Sequence, residues 1–333
     1  MNLEKLIHSI KDFSGIRRKW SISEIIGSLK ETLNYGSVDI IAAFGEDSAV
    51  FKIPEIDEHY FLIAMDGMWS KLVEANPELA GYFSILVNAN DIYCKGGRPL
   101  VMVNNLGINN LNNGKRVISG IVEGCKKFKV PMIGGHLHPD DNRLSLAVSV
   151  LGMVSHNNVI LSSTAEAGDK IIMAIDLDGK FNEQFVYAWD TTTHKTSKQV
   201  NTICHTMNEI AEKNLLTSAK DISNPGNIGT LGMLLETSGV GGIVNVDEIP
   251  KPRGIPLERW VKAYPGFGIV ATTKNKNSDE ILQIFRNKSI NATICGEIIT
   301  EKKLILRFER KEKLLFDFKS DKITGLKKNE DLI

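Results

Sequence analysis

Three aspartates in the first third of the chain stand beside glycines or other turn-forming residues. Asp47 lies in GEDSAV, Asp66 in AMDGMWSKL and Asp91 in NANDIYCKGGRP. Taken singly, each is typical of a turn former or a helix cap that bonds its own backbone. Asp91 differs, because it ends an apolar stripe beside Asn88 and Asn90, where buried polar side chains are costly unless they bind something. A shared Mg²⁺ ion would satisfy the three carboxylates, since Mg²⁺ prefers oxygen ligands.

Glycine-rich turns provide the other half of a possible nucleotide site. The candidates are Gly96-Gly97, Gly134-Gly135 and the segment KDISNPGNIGTLGMLLE, in which Ser223 and several glycines precede an apolar run. Backbone N–H groups in tight turns and at helix N-termini attract phosphate. A single glycine pair is equally typical of an ordinary turn, and none of these is a Walker motif or a dinucleotide fingerprint.

A rival metal site lies in GGHLHPDD. In an extended segment His136 and His138 point the same way, and Asp140 and Asp141 follow closely. Zinc accepts imidazole and carboxylate ligands, but no third convergent ligand is evident, and paired loop histidines are more often solvated. No G-x-S-x-G nucleophile elbow is present. A zinc hydrolase is therefore an alternative function, to be weighed against the nucleotide site.

The apolar pattern predicts an α/β protein. In the first half, short runs such as VDIIAAF and YFLIAMD are rich in β-formers and predict strands. Leu79, Phe83, Leu86 and Val87 form the apolar stripe of a buried helix. Residues 228–235 are apolar nearly all round, which predicts a helix that is buried on every side.

A polar, turn-rich stretch, HNNVILSSTAEAGDK, separates the two halves and places a domain boundary near His156. We expect a first domain at 1–155, a second at 156–318 and a charged tail at 319–333 that frays. The length of 333 residues agrees with two cores rather than one.

Composition excludes several classes of protein. Lys and Arg together number 40, as do Asp and Glu, so the chain lacks the positive excess that nucleic-acid binding requires. The segment MNLEKLIHSIKDF lacks the apolar run of a signal peptide, and no stretch approaches the roughly 20 apolar residues that cross a bilayer. We expect a cytoplasmic protein without nucleic-acid or membrane partners.

The order of these motifs resembles a superfamily that includes aminoimidazole ribonucleotide synthetase, thiamine-monophosphate kinase, selenophosphate synthetase and a hydrogenase-maturation carbamoyl dehydratase. GEDSAV, which begins at Gly45, is similar to the family's Gly-Asp-Asp-Ala-Ala-Val metal loop, with Glu46 in place of the first Asp. MDGMWSKL is similar to the synthetase's Thr-Asp-Gly-Val-Gly-Thr-Lys-Leu, which implies a cation or phosphate role for Asp66 and Lys71. NANDIYCKGGRP resembles an element whose Asp, here Asp91, binds metal.

The sequence departs from its relatives at two motif positions. His136 in IGGH stands where the kinase has Gly-Gly-Asp and the synthetase Gly-Gly-Glu, and Asn224 stands at the second Asp of the kinase's Asp-x-Ser-Asp-Gly. The segments KDISNPGNIGTLGMLLE and YPGFG are similar to an uncharacterised branch of the superfamily that includes a marker family of methanogens.

The resemblance implies an aminoimidazole ribonucleotide synthetase-like, two-domain α/β (α+β) fold. The N-terminal strands would form a barrel with those of a second copy, giving a homodimer, and the C-terminal domain would close the nucleotide cleft. Its implied site residues are the Mg²⁺ ligands Asp47, Asp66 and Asp91, the phosphate-neutralising Lys71, the ATP contacts Gly45, Asn88, Gly134, Gly135 and His136, and the acceptor contacts Asp221, Ser223 and Asn224.

The expected function is Mg²⁺-dependent, ATP-using phosphoryl transfer or ligation on an unidentified small-molecule oxygen or amide acceptor. Such catalysis consists mostly of positioning and electrostatics. A nucleotide-binding regulatory protein without turnover is the main alternative, because His136 and Asn224 replace acidic motif residues.

Overall fold

Two mixed α/β units follow one another in the computed structural model, which describes residues 2–183 and 185–328. The first half contains α1 (Leu3–Lys11), α2 (Ser14–Arg17), α3 (Ile22–Ile26), β1 (Asp39–Ala42), β2 (Ala49–Lys52), β3 (His59–Gly67), α4 (Ser70–Ala75), α5 (Pro77–Tyr93), β4 (Arg98–Gly107), α6 (Leu111–Phe128), β5 (Met132–His138) and β6 (Ser145–Ser155). The second half contains β7 (Lys170–Ile175), β8 (Lys180–Phe181), β9 (Ala188–Asp190), α7 (Ser197–Cys204), α8 (Thr206–Glu212), β10 (Ser218–Asp221), α9 (Gly226–Ser238), β11 (Gly241–Asn245), α10 (Leu257–Trp260), β12 (Tyr264–Pro265), β13 (Gly268–Thr273), α11 (Ser278–Asn287), β14 (Asn291–Ile299), β15 (Lys303–Phe308) and β16 (Lys311–Asp317). Among these helices, none has the length and apolar character needed to cross a membrane.

The first sheet has the strand order β1-β2-β3-β6-β4-β5, and only β4 and β5 pair in parallel. Helix α5 begins where Asn76 accepts a hydrogen bond from the Leu79 N–H at 3.2 Å, with a proline at its first position. Helices α5 and α6 can approach closely because Gly120 has no side chain. A Cβ atom at this position would lie only 1.8 Å from the Glu78 carbonyl oxygen. The two helices pack on one face of the sheet and bury it.

The opposite face of the first sheet is open and apolar. Its exposed side chains come from β3, β4 and β5: Ile63, Met65, Val103 and Ile133. No barrel closes within the part of the chain described, so the mixed α/β fold is confirmed while the barrel stays a prediction about a second copy. An apolar sheet face of this kind requires a cover.

The second sheet has the order β10-β13-β7-β14-β11-β15-β16. Helix α9 is buried on nearly every side, as its all-round apolar sequence predicts. The N-terminal residues Leu6, Ile10 and Ile16 belong to the same hydrophobic core as this helix. Helices α1 and α2 therefore pack with the second sheet. The domain boundary expected from the sequence, after residue 155, assigns them instead to the first domain. Their amphipathic pattern predicts burial but does not specify the partner.

The charged segment at 319–333 was expected to fray, and for residues 323–326 that expectation is wrong. The Glu236 carboxylate accepts backbone hydrogen bonds from Ile323, Thr324 and Gly325 at 2.9, 2.8 and 3.1 Å, and Ile323 is fully buried. The buried Glu236 carboxylate thus holds residues 323–325 in place, although charged residues surround them in the sequence. Residues 329–333 lie outside the described part.

We predict that Glu236→Gln destabilises the protein by about 2 kcal/mol, because a Gln NH₂ group cannot accept the two hydrogen bonds that one carboxylate oxygen accepts. Urea unfolding measures the loss. Glu74→Gln, a change of the same type at an exposed position of α4, should leave the unfolding free energy unchanged. Equal free energies of unfolding for the two variants would contradict the anchoring role of Glu236.

Candidate functional site

A cavity of about 320 Å³ lies between the two units. The first unit contributes the ends of β3 and α5, and the second contributes β10, the loop after it and the turn at 264–266. Across the boundary, the Asn90 side-chain amide donates to the Gly266 carbonyl at 2.9 Å. Asp66, Asp91 and Asp221, which are far apart in sequence, all line this cavity.

Beside the cavity, Glu46 and Lys95 form a buried ion pair with Nζ–Oε2 at 2.7 Å. Glu46 also accepts hydrogen bonds from the Ser162 N–H at 2.6 Å and the Ser163 hydroxyl at 2.8 Å. Burial opposes ionisation, but Lys95 and these donors lower the pKa of Glu46. The carboxylate therefore connects the first sheet to the linker that leads into the second unit.

Asp47, the next residue, is held by two lysines. Its Oδ1 accepts from Lys220 Nζ, and its Oδ2 lies 3.3 Å from Lys95 Nζ and 3.1 Å from the Cys94 thiol. Burial favours the neutral acid, but Lys220 and Lys95 lower the pKa of Asp47 to about 2. Gly45, with φ of +105°, allows the turn that places its carbonyl 3.3 Å from Lys220 Nζ. Both carboxylate oxygens of Asp47 are thus already engaged.

The other cavity carboxylates lack such compensation. Burial, followed by repulsion from Asp221, Asp66 and Asp47, raises the pKa of Asp91 well above its usual value. Burial and the charge of Asp47 raise the pKa of Asp221 to about 8. Burial also raises the pKa of Asp66, although Lys19 opposes the shift. A cation added among these three groups would remove this repulsion.

Lys19 reaches the cavity from the N-terminal segment after α2. Burial and the neighbouring Lys220 lower the pKa of Lys19, while Asp66 and Asp221 raise it. The cavity therefore holds two lysines as well as three uncompensated carboxylates. Such a mixture suits a ligand that brings both metal and anionic oxygens.

The predicted acceptor contacts all line the cavity: Asp221 at the end of β10, and Ser223 and Asn224 in the loop before α9. The Ser223 N–H donates to Thr230 Oγ1 at 3.2 Å, which ties this loop to the first turns of α9. Within one cavity the structure thus brings together the predicted metal ligands Asp47, Asp66 and Asp91 and all three predicted acceptor residues.

Other predicted site residues lie elsewhere. Lys71 is exposed on α4, with Nζ 5.6 Å from the centre of the Trp69 ring. Asn88 is fully buried and donates to the Ser84 carbonyl of its own helix at 2.9 Å. Neither residue lines the cavity.

Gly134, Gly135 and His136 lie on β5, the exposed edge strand of the first sheet. The rings of His136 and His138 are 4.5 Å apart, yet both side chains are exposed. In residues 2–183 and 185–328, one set of three potential ligands has its ligand atoms within 4.8 Å of one another: Asp47, Cys94 and Asp221. The histidine pair has no third ligand there, so the structure does not support zinc at GGHLHPDD.

Sequence reasoning missed three lysines that the fold places at the site: Lys19, Lys95 and Lys220. Lys95 follows a buried helix, and Lys220 stands beside Asp221 in the short strand β10, whose four residues are all buried. A lysine in an apolar segment indicates a buried ion pair. Only the tertiary fold identifies the partner, which is Glu46 of the same unit for Lys95 and Asp47 of the other unit for Lys220.

Known families match both halves of the chain. Residues 45–154 match the N-terminal domain of AIR synthase related proteins, and residues 166–309 match the C-terminal domain of the same proteins. The chain belongs to the AIR synthase related family. The superfamily expected from the order of the motifs is therefore confirmed.

This AIR synthase related protein has relatives with and without an assigned activity. It is 44% identical over 325 residues to an uncharacterized protein of Methanocaldococcus jannaschii, covering 98% of this chain and 100% of that protein. It is 25% identical over 320 residues to a thiamine-monophosphate kinase of Buchnera aphidicola, covering 90% and 97%. A phosphoribosylformylglycinamidine cyclo-ligase of Pyrococcus horikoshii is 22% identical over 311 residues, covering 84% and 91%.

Solved structures share the fold of this family member. T. maritima PurL complexed with FGAR matches with a TM-score of 0.72 and 16% identity, over 99% of this chain and 54% of that one. AaThiL complexed with AMPPCP and TMP matches with a TM-score of 0.65 and 16% identity, over 88% and 96%. The chain spans about half the length of the PurL structures that it matches. At such identity the likeness establishes the fold alone.

We predict that Lys95→Met costs about 3–5 kcal/mol of unfolding free energy, because it leaves the Glu46 carboxylate buried without its cation. Lys170→Met removes a half-exposed pair, Nζ to Glu297 at 3.2 Å, and should cost about 0–1 kcal/mol. Denaturant unfolding measures both. Adding Glu46→Gln to Lys95→Met should restore part of the loss, and a loss no larger than that of Lys170→Met would contradict the role of the buried pair.

Proposed function

We propose that this protein is a Mg²⁺-dependent, ATP-using phosphotransferase or ligase that acts on an oxygen or amide of a small-molecule acceptor. The supporting observation is the convergence of Asp66, Asp91 and Asp221, from both units, on one cavity with Lys19 and Lys220. Relatives named as a kinase and a cyclo-ligase support the reaction class. Structures of PurL complexed with ATP and of AaThiL complexed with AMPPCP support the nucleotide.

The uncompensated carboxylates fit a hard divalent cation. Asp66, Asp91 and Asp221 offer oxygen ligands, and their mutual repulsion is what a cation relieves. Asp47 fits less well, because lysines and a thiol already engage both of its oxygens. We therefore propose that the cation binds Asp66, Asp91 and Asp221, with Asp47 as an indirect contributor. The ligand atoms of these three residues do not all lie within 4.8 Å of one another, so water or phosphate oxygens would complete the coordination. When bound, Mg²⁺ neutralises phosphate charge.

The chain's own groups would supply the remaining electrostatics. Lys19 and Lys220 face the same cavity and offset negative charge on phosphate oxygens. Ser223 and Asn224, on the loop tied to α9, would orient the acceptor beside Asp221. Cavity walls drawn from both units exclude water and strengthen these interactions.

A second copy would complete the assembly. The open sheet face leaves Ile63, Val103 and Ile133 exposed, and an uncovered sheet face with an unpaired edge favours association. In a homodimer, Gly134, Gly135 and His136 on β5 would lie at the interface and be available to ATP there. This arrangement gives the exposed glycine pair the nucleotide role that the motif implies.

We predict that Asp91→Asn weakens binding of Mg²⁺-ATP at least about tenfold, because it removes a charged cation ligand but keeps the shape. The unliganded protein should keep or gain unfolding free energy, since the substitution relieves repulsion. Isothermal titration and urea unfolding measure the two effects. Glu78→Gln, an exposed change on the same helix, is the matched control and should alter neither.

Two results would count against this function. Unchanged Mg²⁺-ATP affinity in Asp91→Asn would contradict the cation site. Binding of Mg²⁺-ATP without ADP release, across a library of small-molecule acceptors, would favour the regulatory alternative, in which His136 and Asn224 mark a loss of turnover. Acceleration of ADP release by one compound identifies the acceptor.

We predict that Val103→Asp shifts the protein from dimer toward monomer, because it places a charge on the apolar sheet face. Light scattering coupled to gel filtration measures the mass. The control is Leu111→Asp, an exposed apolar position on α6, which packs on the other side of the sheet. A wild-type protein that stays monomeric at micromolar concentration contradicts the dimer.

A further inference from the structure

The cavity that holds the carboxylates has a second, apolar lobe. From the first unit, its wall consists of Trp69 at the start of α4, Leu72 within α4, and Phe83, Leu86 and Val87 on α5. None of these side chains carries a polar group except the indole N–H. The polar and apolar lobes form one continuous space, so one ligand can occupy both.

The second unit closes the apolar lobe with aromatic side chains. Phe185, Trp189 and Tyr264 line the cavity from this side. Phe185 meets Trp69 across the boundary between the units, edge to face, with ring centres 5.5 Å apart and planes at 67°. Asp190 is the nearby acidic residue, but it accepts hydrogen bonds from Thr192 and Thr193 of its own loop at 3.0 and 3.1 Å. The wall of the lobe is therefore mainly aromatic. Two charged groups beside it have opposite signs: Asp190, and Lys71, whose Nζ lies 5.6 Å from the centre of the Trp69 ring.

Trp69 is not needed to build the core. Its side chain is 47% exposed, whereas Trp189 and Trp260 are buried and pack against each other with ring centres 5.3 Å apart. Burial of the large apolar surface of a tryptophan stabilises a protein, so one left half exposed in a cavity wall is free to bind a ligand. The Trp69–Phe185 pair thus forms an unfilled aromatic wall.

We propose that the acceptor carries a flat, uncharged aromatic or heteroaromatic ring that lies in this lobe, with its oxygen or amide directed toward Asp91 and Asp221. The proposal rests on the proposed function and specifies the class of its substrate. A volume of about 320 Å³ suits a small molecule rather than a macromolecular segment. Aromatic walls favour a ring over an aliphatic chain, because rings add edge-to-face and stacking contacts to simple burial.

The test uses N-phenyl-1-naphthylamine, an uncharged aromatic probe whose fluorescence rises in an apolar site. One molecule should bind per chain, and Trp69→Ala should weaken its affinity at least about tenfold. Trp20→Ala is the matched control, since Trp20 is similarly exposed, at 42%, but does not line the cavity. Phe185→Leu is a second variant on the opposite wall and should weaken binding in the same direction.

Competition with the bound probe tests whether the lobe prefers an aromatic ring to an aliphatic chain. Indole should displace the probe and 1-octanol should not, whereas equal displacement by both would overturn the aromatic assignment. Probe affinity that is unchanged in Trp69→Ala, or that responds instead to Val103→Gln on the open sheet face, would overturn the location. Displacement by Mg²⁺-ATP would assign the lobe to adenine and overturn the proposal, while leaving the ATP-using function in place.

Direct titration with Mg²⁺-ATP separates the two proposals. If the probe binds as expected and Mg²⁺-ATP does not bind, the aromatic site stands and the ATP-using function fails. If Mg²⁺-ATP binds and the probe does not, the aromatic acceptor fails alone. Simultaneous binding of both ligands, with probe affinity dependent on Trp69, supports both proposals.

Discussion

The arrangement of the site depends on one buried group of charges, formed by Glu46, Asp47, Lys95 and Lys220. Lys95 comes from the end of α5, and Lys220 comes from β10 in the second sheet. Their charges compensate within a space that excludes water, where an unpaired charge would be very costly. Lys220 comes from the second unit and the other three residues from the first, so pairing Lys220 with Asp47 requires one docking geometry. That geometry brings Asp221 to the same cavity as Asp66 and Asp91.

In the docked arrangement, the buried carboxylates of the site differ in their protonation states. Asp47 is ionised with its pKa near 2, whereas Asp91 and Asp221 have raised pKa values because burial and mutual repulsion both favour the neutral acid. The protein therefore keeps part of its acidic cluster in an unfavourable state, which the proposed cation would relieve. Such strain is common where a structure is organised for a ligand rather than for its own stability.

The two faces of the first sheet serve different purposes. One face packs on α5 and α6 and builds a core, while the other exposes apolar side chains together with the edge strand β5. The glycine pair and His136 lie on that edge, away from the carboxylate cavity of the same chain. A nucleotide that contacts both regions would have to bridge two copies, which is why the proposed dimer and the proposed ATP site depend on each other.

Much of this protein can be predicted from its sequence alone. The apolar periodicity identifies the α/β character and the buried helix α9, and the motif order identifies the family. The aspartates Asp47, Asp66 and Asp91 are identified by the motifs in which they stand, and Asp91 also because it ends an apolar stripe, where a carboxylate without a partner is unfavourable. Each of these signals is local, spanning a turn, a strand or a few helical turns, and local patterns are what a sequence displays directly.

Only the tertiary structure decides which charges meet. The pairing of Lys95 with Glu46 and of Lys220 with Asp47 joins residues that are 49 and 173 positions apart. The attachment of α1 to the second sheet and the anchoring of residues 323–325 by Glu236 are likewise contacts over long sequence distances. An amphipathic stripe or a buried lysine shows that a partner must exist, because burial without one is costly. Its identity follows from the tertiary fold and, for Lys220, from the docking of the two units, since it depends on geometry that no local pattern contains.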